Sequence, residues 1–206
     1  MNDRKSPHQK RGSNFGQNSN RSRMNKHSSG KALIKDESEL GDLLDQVKEP
    51  LILILDGIQD PHNLGACLRS ANGAGVHAVI IPKDRAAPVT DTAVSISCGG
   101  ASHTPIFRVT NLARTMDELK KREIWIAGTS DHKGTKNLYE TDLTGPLALV
   151  MGSEEKGMRR LTLDKCDFLL SIPMAGFVEC LNVSVATGVS LFEIIRQRKT
   201  LKQQNS

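Results

Sequence analysis

The chain has 206 residues, of which 37% are hydrophobic and 3% aromatic, the size of one domain with a tail to spare. No run of about 18 apolar residues occurs, so no membrane-spanning helix is expected, and the first residues lack the apolar stretch of a secretory signal. The net charge of +5 is unevenly placed: residues 1–31 hold eight basic side chains against Asp3 alone, and the other 175 residues hold 20 basic and 22 acidic ones.

The chain begins with a polar segment whose only large apolar groups before residue 32 are Met1, Phe15 and Met24. So little apolar surface does not offset the entropy of ordering. Residues 1–36 are therefore expected to form a disordered basic tail, and 37–206 the folded domain. Three roles stay open for the tail: an arm for nucleic-acid phosphates, a solvated leader, or a transit peptide. The last is disfavoured because Leu and Ala for an amphipathic helix are missing.

Glu37 to Lys48 places Leu40, Leu43, Leu44 and Val47 on one helical face, and Pro50 ends it. Leu51–Leu55 is a continuous apolar run of strand length, as in a strand covered on both faces. The spacing then predicts a helix over 64–74, a strand over 77–81, a short helix near 90–97 and a strand over 105–109. A helix over 111–122 and a strand over 124–128 follow. The stretch 129–146 reads as irregular. A strand over 147–151, a helix over 158–166, a strand over 168–172 and a long helix over 181–198 complete the chain. On that last helix Leu181, Val185, Gly188, Phe192 and Ile195 line one side. Six strands alternating with helices predict an α/β fold with a mainly parallel six-stranded sheet.

In such sheets ligands sit at the carboxyl ends of strands, which directs attention to the loops 57–63, 128–134, 152–157 and 173–182. No GxGxxG motif follows a strand and no phosphate-loop lysine motif occurs, so an ordinary dinucleotide or nucleoside-triphosphate site is not expected. Cys67, Cys98, Cys166 and Cys180 are not spaced as CxxC, and six scattered histidines make no finger pattern. No metal site is expected, and a reducing, cytoplasmic setting fits.

In the first loop Asn63 stands where a helix N-cap would, Gly65 permits close approach of another backbone, and Arg69 lies two turns on. Arg69 is either a surface residue or a fork of donors for a phosphate or reacting oxygen. In the second, Glu154 could accept hydrogen bonds from a ribose or simply favour a helix start, and Arg159 and Arg160 could meet RNA phosphates or water. The third, Ile172 to Ala186, joins a strand to the last helix. Its backbone could recognise an adenine edge, and Asn182 could be a cap.

Together the loops resemble the three motifs of the SpoU/TrmH family of RNA ribose 2′-O-methyltransferases, in the knotted SPOUT superfamily. The resemblance is carried by Asp60-Pro-His-Asn-Leu-Gly-Ala-Cys-Leu-Arg69-Ser, Val109 to Met116, Leu147 to Gly152, Gly157 to Thr162 and Leu181-Asn-Val-Ser-Val-Ala-Thr-Gly188. It covers about 37–198 and is most similar to members acting on a guanosine of 23S rRNA. It implies a C-terminal trefoil knot, an exception to unknotted connections, with S-adenosylmethionine bound in it. Gly152, Ile172 and Leu181 fall on cofactor-contacting positions, and Thr129, Met174 and Gly176 are counted with them. Asn63, Arg69, Glu154 and Asn182 fall on catalytic positions. The resemblance also implies a homodimer packed partly through the last helix, where Ser184 and Gly188 would allow close approach. Arg69 is the implied activator of the ribose oxygen. Because a guanidinium stays protonated, stabilising the forming alkoxide is its physically easier role.

Two departures bear on activity. Cys180 stands where the family usually has serine, and Phe177 and Glu179 replace small polar residues. A small RNA-binding domain precedes the catalytic domain in similar members, where about 36 residues stand here. Methylation of tRNA, or a catalytically silent RNA-binding or ribosome-assembly role, are the alternatives.

Overall fold

The computed structural model describes residues 30–131, 134–153 and 157–204. Most of the predicted tail, residues 1–29, lies outside the described residues. Within the stretch 30–36, Ile34–Lys35 forms a short strand, β1, paired with Ile106 and Phe107. The Leu33 amide donates to Ala101 O, and Leu33 O accepts from the Ile106 amide. A window averaged over polar neighbours conceals so short an apolar string.

A 3-10 turn at Glu37–Glu39 is closed by a capping box between Asp36 and Glu39. The helix predicted over 37–48 shortens to α1 (Leu40–Asp45). There follow β2 (Leu51–Asp56), α2 (Pro61–Gly73), β3 (Ala78–Pro82), α3 (Asp91–Ile96), α4 (Gly100–His103) and β4 (Ile106–Val109). The second half holds α5 (Leu112–Lys121), β5 (Trp125–Thr129), β6 (Lys136–Asn137), β7 (Leu147–Gly152), α6 (Arg160–Lys165), β8 (Phe168–Ser171) and α7 (Val183–Gln204). All six predicted strands are present. Among the described residues the sheet nevertheless has eight, in the order β1-β4-β3-β2-β7-β5-β8-β6, and every pair is parallel. The two additions, β1 and β6, are edge strands too short for any periodicity to register. β6 falls in the stretch predicted to be irregular.

β2 is buried along its whole length. Leu51, Leu53 and Leu55 face one core with α2 and α7, and Ile52 and Ile54 face the other with α1 and α5. Each such side chain contributes about 2 kcal/mol by leaving water. Gly65 lies against α3: a Cβ there would stand 2.6 Å from Ala93 O, so the close approach expected of it is real.

The last helix turns a different side inward from the one predicted. Val183, Thr187, Ser190, Leu191, Glu193 and Ile194 are buried, whereas Val185 and Phe192 are exposed. The reason is polar pairing that periodicity does not see. Thr187 Oγ1 donates to Val183 O and contacts Cys67 Sγ on α2, and Glu193 accepts from Arg196 and Gln197. The Arg196 guanidinium holds the Glu193 carboxyl below its usual range. Among the described residues no helix is long and apolar enough to cross a membrane.

Candidate functional site

The sheet fixes where a ligand has room. α2 leaves β2 over one face, with Leu64, Cys67 and Leu68 in the first core. α6 leaves β7 over the other face, where Met158 and Cys166 pack on the second core. β2 and β7 are neighbours, and Asp56 pairs with Gly152 at their carboxyl ends. The two following loops therefore diverge and leave a crevice, the usual ligand position in a parallel sheet.

Two polar side chains from opposite ends of the domain meet there. Asn182 Nδ2 donates to Asn63 Oδ1 at 3.2 Å, across 119 positions of sequence. Asn182 Oδ1 also accepts from the Ser184 amide at 2.9 Å and the Ser184 hydroxyl at 2.6 Å, so it caps α7 as well. The expected cap at Asn63 is corrected: Asp60 is the N-cap of α2, accepting from the His62 amide, with Pro61 at the first turn. Asn63 is left inside that turn, available to reach α7. To make this contact the chain leaving β8 passes β5 and β7 to reach the helix that follows β2, three strand spacings or about 14 Å.

The predicted cofactor residues share this end of the sheet. Thr129 ends β5, Gly152 ends β7 and Ile172 follows β8, and these three strands are adjacent. Thr129 Oγ1 donates to Val150 O at 3.2 Å, so its hydroxyl serves β7. Gly152 is sterically required: a Cβ would lie 2.3 Å from Gly157 C and from Met158 N. Ser153 and Gly157 exchange backbone hydrogen bonds of 3.0 and 2.8 Å, closing that loop at its base. Gly157 takes φ +63°, which favours glycine. Ile172, Met174 and Leu181 are half-buried and Gly176 is exposed. From Ala175 to Cys180 the loop is exposed throughout, with Phe177 wholly so. Arg69 stands exposed on α2 with no ion-pair partner among the described residues. Glu154 lies outside the described residues. Ser184, predicted to ease close approach of a second copy, spends its hydroxyl on Asn182. A Cβ at Gly188 would meet Ser70 Oγ of α2 at 3.6 Å, within the same chain. Among the described residues no three His, Cys, Asp or Glu side chains gather as a metal would need.

The sequence reading missed Asp56. Its carboxylate is 1% exposed. Oδ2 accepts from the Arg159 amide at 3.0 Å, and Oδ1 accepts from Arg159 Nε at 2.6 Å and lies 2.6 Å from a terminal guanidinium nitrogen. Arg159, considered for a phosphate contact or for solvent, has its guanidinium engaged by this buried acid. The available signal was an Asp closing a five-residue apolar strand, a position at which a charge needs a partner.

Residues 50–192 match the model of the SpoU rRNA Methylase family. The chain is 59% identical over 164 residues, 80% of its length and 67% of the relative's, to the 23S rRNA (guanosine-2′-O-)-methyltransferase RlmB of Photorhabdus laumondii. It spans about two thirds of the length of the curated relatives it matches. The SpoU methyltransferase AviRb of Streptomyces viridochromogenes, solved with AdoMet, superposes with a TM-score of 0.70 and 31% identity, covering 77% of this chain and 62% of that one. The TrmH/SpoU tRNA modifying enzyme of A. aeolicus does so with a TM-score of 0.69 and 30% identity, covering 80% and 83%. With the matched residues spanning the strands that carry the crevice and the loops that meet in it, the chain belongs to the SpoU rRNA methylase family.

Proposed function

We propose that this chain methylates the ribose 2′-oxygen of a guanosine in 23S rRNA, using S-adenosylmethionine. The observation that carries the reading is the Asn182–Asn63 hydrogen bond, which joins the first and third motifs at the carboxyl ends of the central strands. The 59% identity to a 23S rRNA guanosine methyltransferase supports the substrate.

The residues at this end of the sheet suit such a cofactor. Half-buried Ile172, Met174 and Leu181 offer apolar cover, and the backbone of the 172–181 loop offers hydrogen bonds for an adenine edge. Bound there, S-adenosylmethionine supplies an electrophilic methyl on a sulfonium sulfur. Arg69, exposed and positively charged, stabilises negative charge developing on the ribose oxygen. Asn63 and Asn182 orient the substrate from two fixed helix starts, and holding both reactants supplies much of the remaining acceleration. Glu154 is assigned to the same site on its motif position. The chain threads α7 through a trefoil knot, a reading supported by its passage from β8 past β5 and β7 to α2. A second copy packs on the outer side of α7, where Val185 and Phe192 stand exposed seven residues apart. The eight basic residues of 1–31 add phosphate contacts, and an rRNA substrate places the work in the cytoplasm.

The test is methyl transfer from labelled S-adenosylmethionine to RNA lacking 2′-O-methylation, with the labelled ribose mapped. Label at one guanosine of 23S rRNA is the expected result. Label in tRNA would keep the chemistry and change the substrate. No label on RNA or ribosomal particles would overturn the reading in favour of a silent RNA-binding protein, disabled around Cys180.

A further inference from the structure

The Asp56–Arg159 pair lies across the crevice between β2 and β7, and its position there gives it a purpose. Asp56 is the last residue of β2 and pairs with Gly152, the last residue of β7. Arg159 is the residue before α6, so it stands where the loop after β7 rejoins regular structure. The carboxylate takes both the amide and the guanidinium of Arg159. It therefore fixes the main chain as well as the side chain. The same loop is closed at its base by the two Ser153–Gly157 hydrogen bonds. Gly152 is pressed so closely against Gly157 and Met158 that no side chain fits between. The strand end, the loop base and the helix start thus form one clamped unit, and the buried acid is its only charged tie to β2 among the described residues. A buried charge is costly unless paired and hydrogen-bonded. Here the pair spans the point where the two loops would otherwise separate.

We infer that Asp56 and Arg159 are positioning residues for the proposed methyl transfer. They set the Gly152 main chain against the crevice and do not contact RNA phosphate. The inference rests on the reaction proposed above, and its test separates the two. Arg159→Ala is compared with wild type for kcat, KM for RNA, salt dependence of RNA binding, and hydrogen exchange at the Gly152, Ser153, Gly157 and Met158 amides. Because Arg159→Ala leaves a buried carboxylate unpaired, the double variant Asp56→Asn, Arg159→Ala is measured beside it, with both charges gone.

The expected result is a kcat lowered about 10- to 100-fold by misplacement, with KM for RNA within about twofold and an unchanged salt slope. Exchange at the four amides quickens in both variants, and the double variant loses no more activity than the single one, as members of one unit do. A raised KM with intact kcat, and a salt slope reduced by about one, would make Arg159 a phosphate contact and overturn the inference. A lowered melting temperature with kcat, KM and amide exchange unchanged would reduce the pair to a structural tie and overturn it as well. Absence of transfer by the wild type would defeat the proposed reaction, while the exchange measurement still decides whether the pair clamps the loop.

Discussion

The two ends of the sheet treat polar groups in opposite ways. At the amino end, side chains are spent on closing the backbone. Arg198 of α7 donates to Glu49 O, Pro50 O and Gly145 O, at 3.1, 3.2 and 2.6 Å. His77 Nδ1 accepts from the Leu51 amide at 3.0 Å. At the carboxyl end, one buried pair holds the frame while the 175–180 loop stays exposed. One end is closed by its own side chains, and the other leaves polar and apolar surface exposed. Substitutions at the amino end should therefore move stability, and those at the carboxyl end activity.

The largest expected effect is at Arg69, two turns along α2 from the carboxyl end. Arg69→Ala is expected to slow methyl transfer about 100- to 1000-fold, as removal of one transition-state donor does, while cofactor affinity and melting temperature stay near wild type. Loss of cofactor binding and stability together, read by calorimetry and thermal unfolding, would make Arg69 a structural residue.

Arg198→Ala tests the other end. Three carbonyls lose a charged donor, and the expected cost is about 1–3 kcal/mol of stability, with kcat unchanged in the variant that remains folded. Denaturant midpoints and kcat, measured on one preparation, check both halves. An intact midpoint with reduced kcat would reverse the comparison.

The pH dependence sharpens it further. Burial lowers the His77 pKa, and its Nδ1 must be unprotonated to accept from Leu51. Below an unfolded value of about 6.5 the unfolded chain binds the proton more readily, so stability falls as pH drops from there toward the lower folded value. The slope from one such group is at most about 1.4 kcal/mol per pH unit. His77→Gln should flatten this limb of the stability curve, and an unflattened limb would remove His77 from the account.

The smallest effect concerns thiols. Burial pushes the Cys166 thiol up to about 12, and Cys180 and Cys98 are exposed. Alkylation followed by mass mapping should modify Cys98 and Cys180 first and reach Cys166 only on unfolding, since the thiolate is the reactive form. Early modification of Cys166 would show that its cover opens in the native state.

The candidate site residues are legible in sequence because Asn63, Arg69, Gly152 and Asn182 stand in short local strings. What those residues touch was not legible. Asn63 looked like a cap because the true cap, Asp60, stands three residues earlier with Pro61 between. Arg159 looked free because its partner lies 103 positions away. The inward side of α7 was misjudged because Thr187 and Glu193 are buried through hydrogen bonds, which a hydrophobic pattern scores as solvent.

The sequence alone determined the six longer strands, the helices between them and the parallel α/β class. Continuous apolar runs such as Leu51–Leu55 need cover on both faces, and that demand is local. Only the tertiary structure decided which strands are neighbours, that Asp56 and Gly152 end side by side, and that Asn182 reaches Asn63. Those facts depend on the order in which strands pack, and strand order follows from contacts summed over the whole chain.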